Sequence, residues 1–227
     1  MVGDNFAMSD EYGGIYTIDE NYNTAHKRLD PSGKDVLIML TDEWWKKKFS
    51  HPAYLTTTNT VFGSQNISFY FVDRTQFVYK PKIYLDFTEK GATMDDCLSY
   101  DTNETFGTAF LDRNRIEIYT DMIFKRIACK NSEFTFDQIA FEVDRAIRRV
   151  LAHEVGHILG IDGDYSCFYT NSNLMCYGCD PDVSGTYCVE TQKGGQTYYY
   201  DTRFARFLYS YDRYTITRDQ VHEIRIW

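Results

Sequence analysis

The stretch TFDQIAFEVDRAIRRVLAHEVGHILGIDGD, residues 135–164, decides how the rest of the chain is read. Thr135, with Gln138 three residues on, forms a capping box in which two side chains and two backbone N–H groups satisfy each other at a helix start. Apolar residues then recur with the helical period at Ile139, Val143, Ile147, Val150, Leu151, Val155, Ile158 and Leu159. Gly160 follows where a helix C-cap is expected. The same helix carries His153-Glu154-Val155-Gly156-His157. Residues four apart share a helix face, so both imidazoles reach one metal ion. Gly156 inside a helix costs about 1 kcal/mol relative to alanine, so close packing is expected at that point.

A hydrolytic zinc site needs three protein ligands, an open position for water and a nearby base. His153 and His157 supply two ligands. Glu154 is placed as the general base, taking a proton from a zinc-activated water and returning it to the leaving amine.

Working towards the N-terminus, Asp112-Arg-Asn114 separates Phe106–Leu111 from Arg115–Thr120, a hairpin by turn chemistry and by the Ile116/Ile118 alternation. Ile67–Val72 and Lys82–Phe87 read as two more strands. Val36–Leu40 is a continuous apolar run suited to burial on both faces. Thr41-Asp-Glu-Trp-Trp-Lys reads as a helix start. Residues 1–34 are polar and read as a loosely structured arm before a single domain over 35–227. In the other direction, residues 161–200 carry almost no regular signal, and a loop that long is usually functional or cross-linked. A second capping box, Thr217-Arg-Asp-Gln220, opens a short final helix with Val221 and Ile224 packing inward.

Composition narrows the partners. The chain has 227 residues, enough for a sizeable core, and a formal charge of -9, with 33 acidic against 24 basic side chains. That balance disfavours nucleic acid and anionic membrane surfaces. No apolar run approaches membrane-spanning length, and the N-terminus lacks the pattern of a secretory leader. Aromatic content is high, with 19 tyrosines and 16 phenylalanines, which suits a strand-rich extracellular protein. Six cysteines, four of them in the C-terminal third, fit disulfides in a secreted protein whose leader has been removed. The rival is a structural zinc on Cys167, Cys176, Cys179 and Cys188.

The sequence His153–Gly160, HEVGHILG, resembles the HExxHxxG signature of the metzincin zinc peptidases, and Ser172-Asn-Leu-Met175-Cys-Tyr177 resembles their methionine turn. The likeness covers residues 135–180 specifically. GIDGDY is similar to the corresponding segment of snapalysin-like enzymes, and the cysteine beside Met175 resembles the archaemetzincins. The resemblance implies an α+β fold: a mixed twisted sheet and the active-site helix in an N-terminal lobe (35–160), then a small, irregular, cysteine-rich C-terminal lobe (161–227) ending in a helix. It further implies a zinc endopeptidase acting on peptide or protein substrates. Met175 would form an apolar floor under the metal, and Tyr177 would approach the zinc or stabilise the oxyanion, as in astacins and serralysins. The family's third ligand lies three residues after the glycine, where this chain has Gly163. Its neighbours are both aspartates. Asp164 is the expected ligand, since Gly163 lets the backbone re-aim it, and Asp162 is the alternative. A non-catalytic binding or adhesion module that keeps the helix for structure is the competing function, and retention of Glu154 argues against it.

Overall fold

A computed structural model describes residues 34–41, 52–72, 82–93, 105–130, 133–163, 173–176 and 214–226, together with the backbone of five strands at 6–9, 15–18, 25–28, 188–193 and 196–201. The strands in chain order are β1 (Phe6–Ser9), β2 (Ile15–Ile18), β3 (Ala25–Arg28), β4 (Asp35–Leu40), β5 (Ser68–Val72), β6 (Ile83–Thr88), β7 (Gly107–Phe110), β8 (Arg115–Tyr119), β9 (Cys188–Lys193) and β10 (Gln196–Asp201). The helices are α1 (Thr56–Phe62), α2 (Thr120–Lys130), α3 (Phe136–Ile158) and α4 (Arg218–Glu223).

The first eight strands make one mixed sheet in the order β3-β2-β1-β5-β4-β6-β8-β7. Strands β5, β4, β6 and β8 run parallel to their neighbours, and β7 returns antiparallel to β8 at the edge. The fold is therefore α+β with a mixed sheet. Alternation sends Ile83, Leu85, Phe87, Ile116 and Ile118 into the main core, where they meet Ile147, Val150, Leu151 and Val155 of α3. Helix α3 packs on α1, α2, β7 and β8. The run from Val36 to Leu40 is buried on both faces, as its composition implies. Val36, Ile38 and Leu40 join the main core, while Leu37 sits in a second cluster with Tyr70 and Val72.

Several elements depart from the sequence expectations. Residues 1–34, read as a loosely structured arm, contain three four-residue strands, and β1 pairs in parallel with β5 at Phe6↔Phe71. Residues 161–200, read as nearly without regular structure, contain β9 and most of β10, paired from Gln196↔Lys193 to Asp201↔Cys188. That register leaves Gly194 and Gly195 between the strands, a two-glycine hairpin signal. Helix α2 follows β8 without a break, at Tyr119–Thr120, so no turn residue announces it. The helix expected from Thr41 onward lies outside the described residues. Helix α1, TTTNTVF, is poor in helix formers and is held by tertiary contacts through buried Thr58, Val61 and Phe62.

Candidate metal centre

The centre is built from the C-terminal half of α3. The capping box at its start is present, with Thr135 N–H donating to Gln138 Oε1 at 2.8 Å and Gln138 N–H to Thr135 Oγ1 at 3.3 Å. At the other end Gly160 adopts φ 88°. Its N–H donates to His157 O at 2.9 Å, and Ile161 N–H to Gly156 O at 3.0 Å. Those two bonds make a Schellman turn, which favours glycine because a side chain at that φ is strained.

This turn brings the Ile161 carbonyl to 3.0 Å from His157 Nδ1. The Leu174 carbonyl lies 2.8 Å from His153 Nδ1. A carbonyl only accepts, so each Nδ1 carries the proton and each Nε2 presents a lone pair. The two Nε2 atoms converge to 3.1 Å, with the rings edge to face at 87°. That separation is one that two zinc–nitrogen bonds of ordinary length, about 2.0–2.1 Å, would span from one ion. The pair fits a zinc-type cation by donor chemistry, tautomer and separation.

Burial keeps both imidazoles in the neutral form that ligates. His153 is 1 % exposed. Burial, then the charge of His157, pushes it down to about 3, against the pull of the Leu174 carbonyl. Burial also lowers His157, with the Ile161 carbonyl and the charge of Asp162 opposing.

Glu154 is 5 % exposed. Burial pushes its carboxyl up to about 8, and the backbone N–H of Ala109 on β7 partly offsets this by donating to it. A carboxyl whose affinity for protons lies near neutrality suits transfer in both directions. Strand β7 comes this close because residue 107 is glycine. A Cβ there would lie 2.7 Å from Val150 Cγ1 and 3.0 Å from Glu154 Oε1.

Beneath the helix, a Cβ on Gly156 would lie 2.5 Å from Met175 Sδ. The expected close packing at Gly156 is thus against the methionine that the sequence singled out. Met175 is fully buried in a turn where Cys176 N–H donates to Asn173 O at 3.3 Å and Met175 N–H to Asn173 Oδ1 at 2.9 Å. The same turn supplies the Leu174 carbonyl to His153.

The structure therefore brings together His153, Glu154, His157 and Met175. Asp164 and Tyr177 lie outside the described residues. Asp162 is exposed, and its N–H donates to Glu223 Oε2 at 3.1 Å. Among the described residues no set of three His, Cys, Asp or Glu side chains converges on one point. Sequence reasoning missed Gly107 and Ala109, along with the carbonyls of Ile161 and Leu174. Backbone groups carry no side-chain signature, and only the hairpin assignment placed 107–110 on a strand.

The sequence matches no family model and no curated protein.

Proposed function

We propose that the chain is a zinc-dependent endopeptidase of metzincin type. The observation that carries this reading is the pair of Nε2 atoms 3.1 Å apart, each aimed by a carbonyl on its own Nδ1, on a helix whose Gly156 packs against a buried methionine. His153 and His157 would hold the ion, with Asp164 as the proposed third protein ligand and Asp162 as its alternative. Bound zinc supplies a Lewis acid that makes hydroxide available near neutral pH and polarises a carbonyl.

The chain's own residues do the rest. Glu154, screened from solvent, accepts the proton of the attacking water and passes it to the departing amine. Ala109 N–H orients that carboxylate from β7. Strand β7 ends the sheet, and no other described strand pairs with its outer side. An extended peptide added there would gain backbone hydrogen bonds beside Glu154. Tyr177 is proposed to stabilise the oxyanion.

Secretion is part of the proposal. No free cysteine stands among the described residues, which supports the disulfide reading of a secreted chain over the structural zinc. No described helix is long and apolar enough to cross a membrane.

The test pairs metal analysis with a peptide-library cleavage assay. Wild-type protein should bind about one zinc per chain and cut peptides. Glu154→Ala should keep the zinc and lose the cutting, and full activity in that variant would sink the mechanism.

A further inference from the structure

We propose that the C-terminal segment from Thr215 to Arg225 braces both histidines of the metal centre, with Glu223 as a positioning residue. The proposal rests on the zinc reading above and adds to it an element far from the signature in sequence.

Each imidazole is aimed by one carbonyl, and the C-terminal segment holds both. On the His153 side, Leu174 N–H donates to Thr215 O at 2.9 Å, and Asn173 forms a parallel bridge with Thr215. The Leu174 carbonyl that receives His153 is thereby fixed. On the His157 side, Arg225 N–H donates to Leu159 O at 2.8 Å, and Glu223 Oε2 accepts Asp162 N–H at 3.1 Å. These two bonds straddle Ile161, whose carbonyl receives His157. Gly160, at φ 88°, turns the chain into this seat, and the position its Cβ would take lies at ordinary contact distance from Glu223 O (3.4 Å) and the Arg225 side chain (3.7 Å).

Helix α4 spans the distance between the two contacts. Its capping box is complete, with Thr217 N–H donating to Gln220 Oε1 at 2.9 Å and Gln220 N–H to Thr217 Oγ1 at 3.3 Å. Tyr214 is buried in the main core, and Ile216, Ile224 and Ile226 pack against it. The segment is therefore anchored by apolar burial that does not involve the Glu223 carboxylate. That carboxylate accepts the backbone N–H of Asp162, the residue that follows Ile161.

Outer partners of metal-bound histidines typically change affinity by about 10–100-fold when lost. The experiment measures zinc dissociation constants, by competition with a chromophoric chelator, for the full chain, Glu223→Ala, Glu223→Gln and His153→Ala. Visible spectra with cobalt(II) in place of zinc report ligand geometry. Glu223→Ala should weaken zinc about tenfold and shift the cobalt spectrum, with the far-ultraviolet circular dichroism unchanged. Glu223→Gln should recover most of the affinity, because its carboxamide oxygen accepts the same N–H. Wild-type affinity in Glu223→Ala overturns the brace, as does an equal loss in both variants, which would make charge the cause. A Glu223→Ala chain that does not fold also overturns it, since the carboxylate would then be a folding element. If wild type binds no zinc, or His153→Ala binds it as tightly, the metal reading itself falls and the brace falls with it.

Discussion

Gly156 shows how one missing side chain ties the helix to the site. Alanine is favoured over glycine in a helix by about 1 kcal/mol. Its Cβ, however, would lie 2.5 Å from Met175 Sδ and 3.0 Å from Cε, and Met175 is fully buried, so the methionine side chain must repack. Overpacking of this kind costs about 1–3 kcal/mol, so Gly156→Ala should destabilise the chain by about 1 kcal/mol net. Urea midpoints check this, and adding Met175→Ala should return part of the conflict as a coupling in a double-mutant cycle. Tyr54 offers a pH-dependent case. Its hydroxyl donates to Asp144 Oδ1 at 2.7 Å across 90 positions of sequence. Burial first, then the Asp144 hydrogen bond and charge, raises the phenol well above its ordinary value of 10. A tyrosine raised in the folded state contributes stability that is complete below pH 10, the unfolded value, and is lost as pH climbs towards the folded one. Tyr54→Phe should therefore cost about 1.5 kcal/mol at neutral pH. Denaturation across pH 8 to 11.5 should show the difference from wild type shrinking only above about pH 10.

At the scale of elements, strand β7 and helix α1 depend on single residues. Gly107→Ala would press β7 away from Val150 and Glu154, the atoms its Cβ would meet at 2.7 and 3.0 Å. The expected outcome is a fall in kcat/KM for peptide cleavage of about tenfold or more with zinc content unchanged. Loss of zinc instead would show that β7 supports the ligands rather than the base. Helix α1 is tied to β5 by Asn59, whose Oδ1 accepts Phe69 N–H at 2.8 Å and whose Nδ2 donates to Phe69 O at 3.1 Å. Asn59→Ala leaves both backbone groups to find other partners and should cost about 1–3 kcal/mol in thermal or urea unfolding. The legibility of each element follows from where its stabilisation lies. Helix α3 was readable end to end because its capping box, apolar period and glycine stop are all local. The strands β4, β5, β6, β7 and β8 were readable because alternation and turn chemistry are local too. Helix α1 was not, since three threonines in a row carry no helical signal and only burial against α3 makes them helical. Strands β1, β2 and β3 are four residues each, too short for a period to stand out from polar surroundings.

At the scale of the whole molecule, a zinc ion at the proposed site would tie its stability to that of the fold. A ligand held only by the folded state adds about 4 kcal/mol at a thousandfold excess over its dissociation constant. Chelation should thus lower the unfolding temperature, and zinc but not magnesium should restore it, because magnesium prefers oxygen ligands. Calorimetry with and without chelator checks this; an unchanged transition would argue against a metal held by the fold. The sequence by itself determined the long helix, its start and stop, the pairing of His153 with His157 on one face, and the placement of Glu154 beside them. These are consequences of 3.6-residue periodicity and of short-range hydrogen bonding, which act within a few residues. It also pointed to Met175, through its distance from the motif. Only the tertiary structure decided what aims the imidazoles and what isolates the carboxylate. Those jobs fall to the carbonyls of Leu174 and Ile161, the N–H of Ala109, and a C-terminal segment held against the glycine turn. Backbone groups are alike at every residue, so sequence cannot mark the few that matter. Their role arises only when distant parts of the chain are packed within hydrogen-bond reach.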